Sequence, residues 1–473
     1  MSDTPPTILW LRRDLRLGDH PALAAAIGTG GPVIPVFIRD GLVETLGAAP
    51  KWRLGLSLAS FSKSLEDKGS RLILRTGDAL GVLKKLISET GAKSVHWSRG
   101  YDPDSIARDK SVKAALKESG IEAQSHTGHV LFEPWTVQTG SGSFYKVYSP
   151  MWKAVRTRDV PEPIDAPHSI PSPQNWPESE PLGRWHLGKA MNRGADVCLP
   201  YQRIGEAKAL DRLHHFTDEV IARYDTQRDF PAVDGCSGLS ENLALGEISP
   251  RVCWHAGQRA LQEGKSGAET WLKELVWREF AYHLAYHTPH ITTRSWRDGW
   301  DTFPWSEDEN AANVLAWKQG RTGIAFVDAA MRELYVTGKM HNRSRMIVGS
   351  YLTKHMMTHW RIGQRWFEDC LTDWDPASNA MGWQWVAGSG PDATPYFRVF
   401  NPDTQLDKFD RDGAYRRAWI AEGYCSPSKS ALSYYDAIPR SWGLSPNDRV
   451  PAPIVNLAEG RQGALDAYAA RDF

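Results

Sequence analysis

The chain has 473 residues, enough for two or more domains with separate cores and too many for one small domain. Lys and Arg number 56 and Asp and Glu also 56, so bulk charge argues for no polyanionic partner and any phosphate-binding surface must be a local patch. Cys198, Cys236, Cys253, Cys370 and Cys425 are too scattered for a zinc site or a disulfide framework and no apolar run reaches membrane-span length, so a soluble, unexported protein of a reducing cytoplasm is expected, with no metal.

Residues 7–11, 33–38, 72–74, 94–97 and 121–125 read as short apolar strands. Between them 21–27, 52–65, 79–89 and 104–117 carry helical periodicity. Successive βαβ units predict an α/β domain with a doubly wound parallel sheet, Rossmann-like, over residues 1–130. The first strand runs into ILWLRRDLRL rather than a G-x-G-x-x-G turn, so the usual dinucleotide fingerprint is missing. Prolines recur from Pro161 to Pro181 and interrupt any helix or central strand, which makes 131–200 a connector. Helical patterns at 207–224, 268–286, 325–334, 343–358 and 365–371, with a closing helix at 460–473, predict an all-α domain over 201–473.

The chemistry-bearing residues concentrate in that second half. In TWLKELVWREF, Trp271, Glu274, Trp277 and Arg278 fall along one helical side, which suits a cavity wall with flat faces for a base and polar groups for its edges; an amphipathic helix with a marginal Glu–Arg pair is the plainer alternative. In MHNRSRM, Asn342, Arg345 and Met346 share a side while Arg343 points elsewhere, toward a phosphate or simply toward solvent. Asp373, Asp375 and Asn379 precede Trp383, Gln384 and Trp385 in a Gly- and Pro-punctuated segment that reads as a functional loop. Upstream of these, Tyr224 and Arg228 lead into the small run Cys236, Ser237, Gly238, Leu239 and Ser240, which can open a helix and offer N–H groups to a diphosphate, or serve as an ordinary N-cap. The 21 tryptophans fit either a large aromatic core or aromatic work beyond packing.

Taken in order, WLRRDLRLGDHPAL, WREF, MHNRSRM, SNAMGWQWVAGSG and PYFRVFNP resemble the photolyase/cryptochrome family across nearly the whole chain. RGYDPDSIARD, FYKVYSP and the acids before the WQW triplet are most similar to the bacterial members that act on cyclobutane pyrimidine dimers, including the class III group. The resemblance implies a helical FAD-binding domain holding a U-shaped FAD through Tyr224, Cys236, Ser237, Gly238, Leu239, Ser240, Trp271, Glu274, Arg278, Arg345, Asp373, Asp375 and Asn379. In that arrangement Asn379 faces the flavin and Asp373 pairs with Arg345. Cys236 stands where a threonine is common and Gly238 where a larger residue is usual.

The resemblance further implies that Glu274, Trp277, Asn342, Met346 and Trp385 face a dimer flipped out of DNA. Members acting on (6-4) lesions typically carry histidine where this chain has Met346. Reduced FAD excited by light would donate the cleaving electron. Trp305, Trp360 and Trp383 match the family's electron relay, with Trp300 as the substitute for Trp305. Arg228, Arg343, Arg398 and Gln405 are expected on the DNA backbone, within a basic rim that includes Lys339, Lys354 and Arg361. An antenna pigment is expected at the connector, with methenyltetrahydrofolate implied by the class III likeness, a deazaflavin, a second flavin (FMN) or no pigment as alternatives, and Phe37, Trp52, Glu133 and Tyr145 as its candidate contacts. The protein is expected to be a monomer whose partner is damaged DNA. The rival reading is a cryptochrome-type signalling flavoprotein; a more distant one is a nucleotide-binding α/β enzyme with a helical interaction scaffold.

Overall fold

The computed structural model describes residues 4–392 and 397–473; the Pro395–Tyr396 start of PYFRVFNP lies outside the described residues. Strands β1 (Thr7–Leu11), β2 (Val33–Arg39), β3 (Ile73–Thr76), β4 (Ser94–Ser98) and β5 (Glu122–His126) form one sheet in the order β3-β2-β1-β4-β5. Every pairing is parallel. Side chains alternate across it: Leu9 and Leu11 pack with α1 (Pro21–Gly28) and α2 (Ala48–Glu66), while Ile8 and Trp10 pack with α3 (Ala79–Thr90) and α4 (Pro103–Glu118). With helices on both faces, the central strands can be apolar throughout, which is why no alternating pattern marks them in the sequence.

The connector belongs to two cores. Ile170, Trp185 and Leu187 pack on the α1/α2 side of the sheet, whereas Val130, Phe132 and α5 (Tyr148–Val155) join the helical domain beside Trp254, Leu275 and Phe280.

In the helical domain the site is framed by α6 (Glu206–His215), α7 (Ser240–Leu245), α8 (Ala268–His287), α9 (Ala325–Thr337), α10 (Asn342–Ser350), α11 (Trp360–Cys370) and α12 (Pro376–Ala387). Helices α8, α10 and α11 all pack against α12. Helix α13 (Pro402–Phe409) and the closing α14 (Leu457–Ala469) complete the part used below.

Three sequence expectations change here. The segment around WQW is α12, not a loop: Asp375 accepts the Ser378 N–H at 2.8 Å as N-cap, Pro376 occupies the first turn where its missing N–H costs nothing, and Gly388 closes the helix at φ +98°. The expected helix 207–224 ends at His215 and continues as a wide π turn, Phe216–Val220, and a tight 3₁₀ turn, Ile221–Arg223. The expected helix 343–358 likewise gives way to a π turn at Tyr351–His355. In both, the apolar side chains still reach the core, so periodicity alone does not reveal the widened turn.

Candidate functional site

Helix α8 places Trp271 in the core, 5.0 Å from Phe216, with Tyr224 edge-on to the same ring at 5.6 Å. One turn along, Glu274 accepts from Arg228 at 2.6 Å, and the Arg228 guanidinium lies 5.2 Å over the Tyr224 ring. The Cys236 sulfur lies 3.7 Å from both the Arg228 carbonyl oxygen and the Nε2 of His341. His341 Nδ1 accepts the Arg343 N–H at 3.1 Å, so in the neutral ring Nε2 carries the proton and points at sulfur; burial lowers this imidazole to about 4, which keeps it neutral. Tyr224, Arg228, Cys236, Glu274, His341 and Arg343 are thus one contiguous wall.

A second polar centre lies where α10 faces the turn before α12. Arg345 donates to Asp373 at 2.7 Å and to the Met340 carbonyl at 2.9 Å. The other Asp373 oxygen, Oδ1, is buried with no hydrogen-bond partner. Asn379, one turn into α12, donates to the Gln364 carbonyl at 3.1 Å. Asp375 is engaged differently: besides capping α12 it accepts from Arg13 of the α/β domain at 2.8 Å and from the Tyr282 hydroxyl. Burial alone would raise its pKa, but Arg13, Arg278 and the Tyr282 hydrogen bond hold it below the ordinary value. Arg278 donates to the His129 carbonyl at 2.7 Å.

The run 236–240 opens α7 with Leu239 as N-cap. Gly238 has φ +63°, and a Cβ there would meet the Arg203 guanidinium at 3.0 Å, which explains glycine at a position where a larger residue is usual. Arg212 donates to the Ser237 carbonyl at 2.7 Å. Two guanidinium groups therefore flank the run.

The aromatic residues divide into three groups. Trp277 stacks face to face on Tyr148 at 3.8 Å, and the Tyr148 hydroxyl donates to the Lys273 carbonyl at 2.7 Å. Trp385 instead lines a small pocket with Arg297, Trp300, Lys354, Phe397 and Arg398. Trp383, Trp360 and Trp305 are buried in one cluster; the indole N–H groups of Trp383 and Trp360 have no acceptor, whereas that of Trp305 donates to the Thr353 carbonyl at 2.7 Å. His359 bridges two of them, 5.4 Å from Trp305 and 5.5 Å from Trp360, while Trp300 stacks on Trp305 at 5.6 Å.

Among the expected backbone contacts, Arg343 pairs with Asp229 at 2.6 Å and lies 4.6 Å over Phe409, in the same helix as Gln405, whose Oε1 is buried without a partner. Arg398 and Arg361 are exposed. Lys354, expected on a basic rim, is buried, because the π turn directs it inward onto Phe397. Lys339 is held by Glu241 at 2.8 Å.

The matches to known proteins follow this geometry. A family model for DNA photolyase covers residues 7–171, and one for the FAD binding domain of DNA photolyase covers 271–470. A deoxyribodipyrimidine photo-lyase of Agrobacterium fabrum is 46% identical over 99% of this chain and 98% of its own length. The chain belongs to the DNA photolyase family. Within it, the crystal structure of a class III photolyase from Agrobacterium tumefaciens superposes with TM-score 0.91 at 45% identity, covering 99% of this chain and 98% of that one. A Synechocystis cryptochrome is more distant, with TM-score 0.84 at 28% identity over 99% of this chain and all (100%) of that one.

FAD, the cofactor of the family's C-terminal domain, fits the residues present. Asp373 Oδ1 is a buried acceptor free for a ring N–H, and Arg203 and Arg212 supply positive charge beside the Gly238 turn. The four antenna candidates of the photolyase fold do not share one cluster. Phe37 lies 6.1 Å from Trp185, and Trp52 packs where a Cβ on Gly188 would come within 2.7 Å. Glu133 pairs with Arg99 at 2.7 Å, and Tyr145 donates its backbone N–H to His283 at 3.0 Å. A cavity of about 440 Å³ between Ala48, Met191, Tyr335 and Cys370 meets none of the four.

Sequence reasoning missed Tyr148, Arg13, Tyr282, Arg212 and His341. Tyr148 and His341 lay inside quoted blocks, FYKVYSP and MHNRSRM, but only the fold shows that they touch Trp277 and Cys236. No described helix is long and apolar enough to cross a membrane.

Proposed function

We propose that this chain uses light to return cyclobutane pyrimidine dimers in DNA to monomeric pyrimidines, with FAD as its cofactor. The observation that carries the reading is the Arg345–Asp373 pair at 2.7 Å with its second carboxylate oxygen buried and unfilled, set against a helix bearing Asn379 and Trp383. When bound and reduced, FAD supplies the photoexcited electron that opens the cyclobutane ring.

In this reading Asp373, Arg345 and Asn379 address the flavin ring, and Trp271, Tyr224 and the 236–240 turn hold the rest of the cofactor. Arg278 and Asp375 contribute from the Tyr282 side, where Asp375 also fixes the α/β domain. Trp277, backed by Tyr148, and Trp385 are the flat walls for the extruded bases, and Asn342 and Met346 flank them. Glu274 accepts a hydrogen bond from a pyrimidine edge. Arg228 neutralises Glu274 in the free protein, and its transfer to a DNA phosphate would release the carboxylate for the lesion. Arg343, Arg398 and Gln405 complete the backbone contacts, and Trp305, Trp360 and Trp383 conduct an electron inward to oxidised flavin.

The same reading divides the chain at 1–130, 131–200 and 201–473 and places a monomer on damaged DNA in a bacterial cytoplasm, with methenyltetrahydrofolate as antenna at the connector. Native absorption followed by extraction and chromatography identifies the pigments. Irradiated oligonucleotide incubated with reduced protein tests the reaction: loss of dimers under blue light and none in the dark is expected. Bound, photoreducible flavin with no loss of dimers would instead indicate a signalling receptor.

A further inference from the structure

His359 lies between two of the three relay indoles. Its ring centre is 5.4 Å from that of Trp305, edge to face, and 5.5 Å from that of Trp360. Trp383, outside ring contact with His359, meets Phe367 and Trp317 instead. A charge on the imidazole therefore acts almost equally on Trp360 and Trp305 and less on Trp383.

The surroundings keep that ring neutral. His359 is the N-cap of α11, and its Nδ1 accepts the Arg361 backbone N–H at 3.1 Å, which leaves the proton of the neutral ring on Nε2. A second proton, on Nδ1, would set two donors against each other and place a cation at the positive end of the helix. Burial lowers the His359 pKa below the ordinary value; Glu307 and Asp301, on the segment around Trp305, oppose the shift, and Arg361 and Arg365, on α11 itself, add to it. The Ser306 carbonyl accepts the His359 backbone N–H at 2.9 Å and so fixes the residue against the Trp305 segment.

The indoles are sensitive to such a charge. Those of Trp383 and Trp360 hold their N–H groups in the core with no acceptor, and that of Trp305 points at the neutral Thr353 carbonyl. No base accepts these protons among the described residues, so an indole that gives up an electron keeps its proton and carries a full positive charge.

We propose that His359 is a positioning residue for charge in the relay: as a neutral ring it lets positive charge pass from Trp360 to Trp305, and once protonated it holds that charge back at Trp383. The proposal rests on the reading of Trp383, Trp360 and Trp305 as the relay. In each passage one electron moves inward, from Trp383 to oxidised flavin, from Trp360 to Trp383 and from Trp305 to Trp360, and no bond forms or breaks. An external thiol, losing its proton to water as it becomes a thiyl radical, returns the electron to Trp305. With His359 protonated the charge stays at Trp383, and the electron returns outward before the thiol can act.

The test is the yield of flavin reduction per absorbed photon at saturating thiol, between about pH 8 and about pH 5, with transient absorption reporting how much oxidised Trp305 forms. H359N and H359D both keep a side-chain acceptor at the N-cap. Wild type is expected to lose yield and oxidised Trp305 several-fold as pH falls through the His359 pKa, H359N to give a flat profile, and H359D to match or exceed H359N throughout. A flat wild-type profile, an acid limb that persists in H359N, or an H359D yield below that of H359N would overturn the role of His359. W360F reads the relay separately: loss of oxidised Trp305 is expected, and an unchanged signal would remove the relay reading and the role of His359 with it.

Discussion

A buried charge persists when an opposite charge or a hydrogen bond answers it, and Asp373 and Lys354 stand at the two ends of that range. Arg345 satisfies one Asp373 oxygen and leaves the other to a flavin N–H. D373N is expected to weaken flavin binding by about 1.5–3 kcal/mol, roughly ten- to a hundredfold, read by titration of apoprotein with FAD. Lys354 is the contrary case: its pKa falls from 10.5 unfolded to about 7 folded, so the unfolded chain binds more protons between those values. The lysine therefore penalises the fold fully below pH 7, and the penalty fades as pH rises toward 10.5. K354M should be more stable than wild type at pH 7 by chemical denaturation, with the gap narrowing toward pH 10; a gap independent of pH would contradict this. At Gly363 a Cβ would fall 2.1 Å from the Trp383 indole, so G363A should cost about 1–3 kcal/mol and slow photoreduction of the flavin.

At the level of elements, α12 shows why a site can be legible while its structure is not. The acids, the asparagine and the two tryptophans were readable as a functional cluster, but the Pro and Gly around them suggested a loop. Proline at the first turn and glycine past the last are helix boundary signals when an aspartate stands in front, and Asp375 does. Its second task, binding Arg13 from more than three hundred positions away, leaves no local trace. D375A removes a cap and one half of a largely buried ion pair, so a loss of about 3 kcal/mol is expected in thermal or denaturant unfolding. Since the Asp375 pKa is held down in the fold, this contribution is present at neutral pH and disappears as pH drops through the acid range. The five strands were legible because β-branched and aromatic runs bounded by turns recur at βαβ spacing. The two π turns were not, and the second of them turns Lys354 from an expected rim residue into a buried one.

At the scale of the molecule, the α/β domain is fastened to the helical domain by charges that reach across. Arg53 and Glu247 are both 0% exposed in side chain and 2.7 Å apart, Arg13 reaches Asp375, and Glu206 accepts the backbone N–H groups of Leu17 and Gly18 at 2.8 Å. R53M strands a buried carboxylate at that junction and should cost about 3–5 kcal/mol, separating one cooperative unfolding transition into two by calorimetry. The proposed repair site depends on this junction through Asp375. The most direct test of the account is a count of dimers in a defined oligonucleotide after single-turnover blue flashes with the fully reduced holoprotein. Dimers converted to monomers in proportion to flashes absorbed, and none in darkness, is the predicted result; a flavin that is bound, reduced and excited while every dimer survives would contradict it.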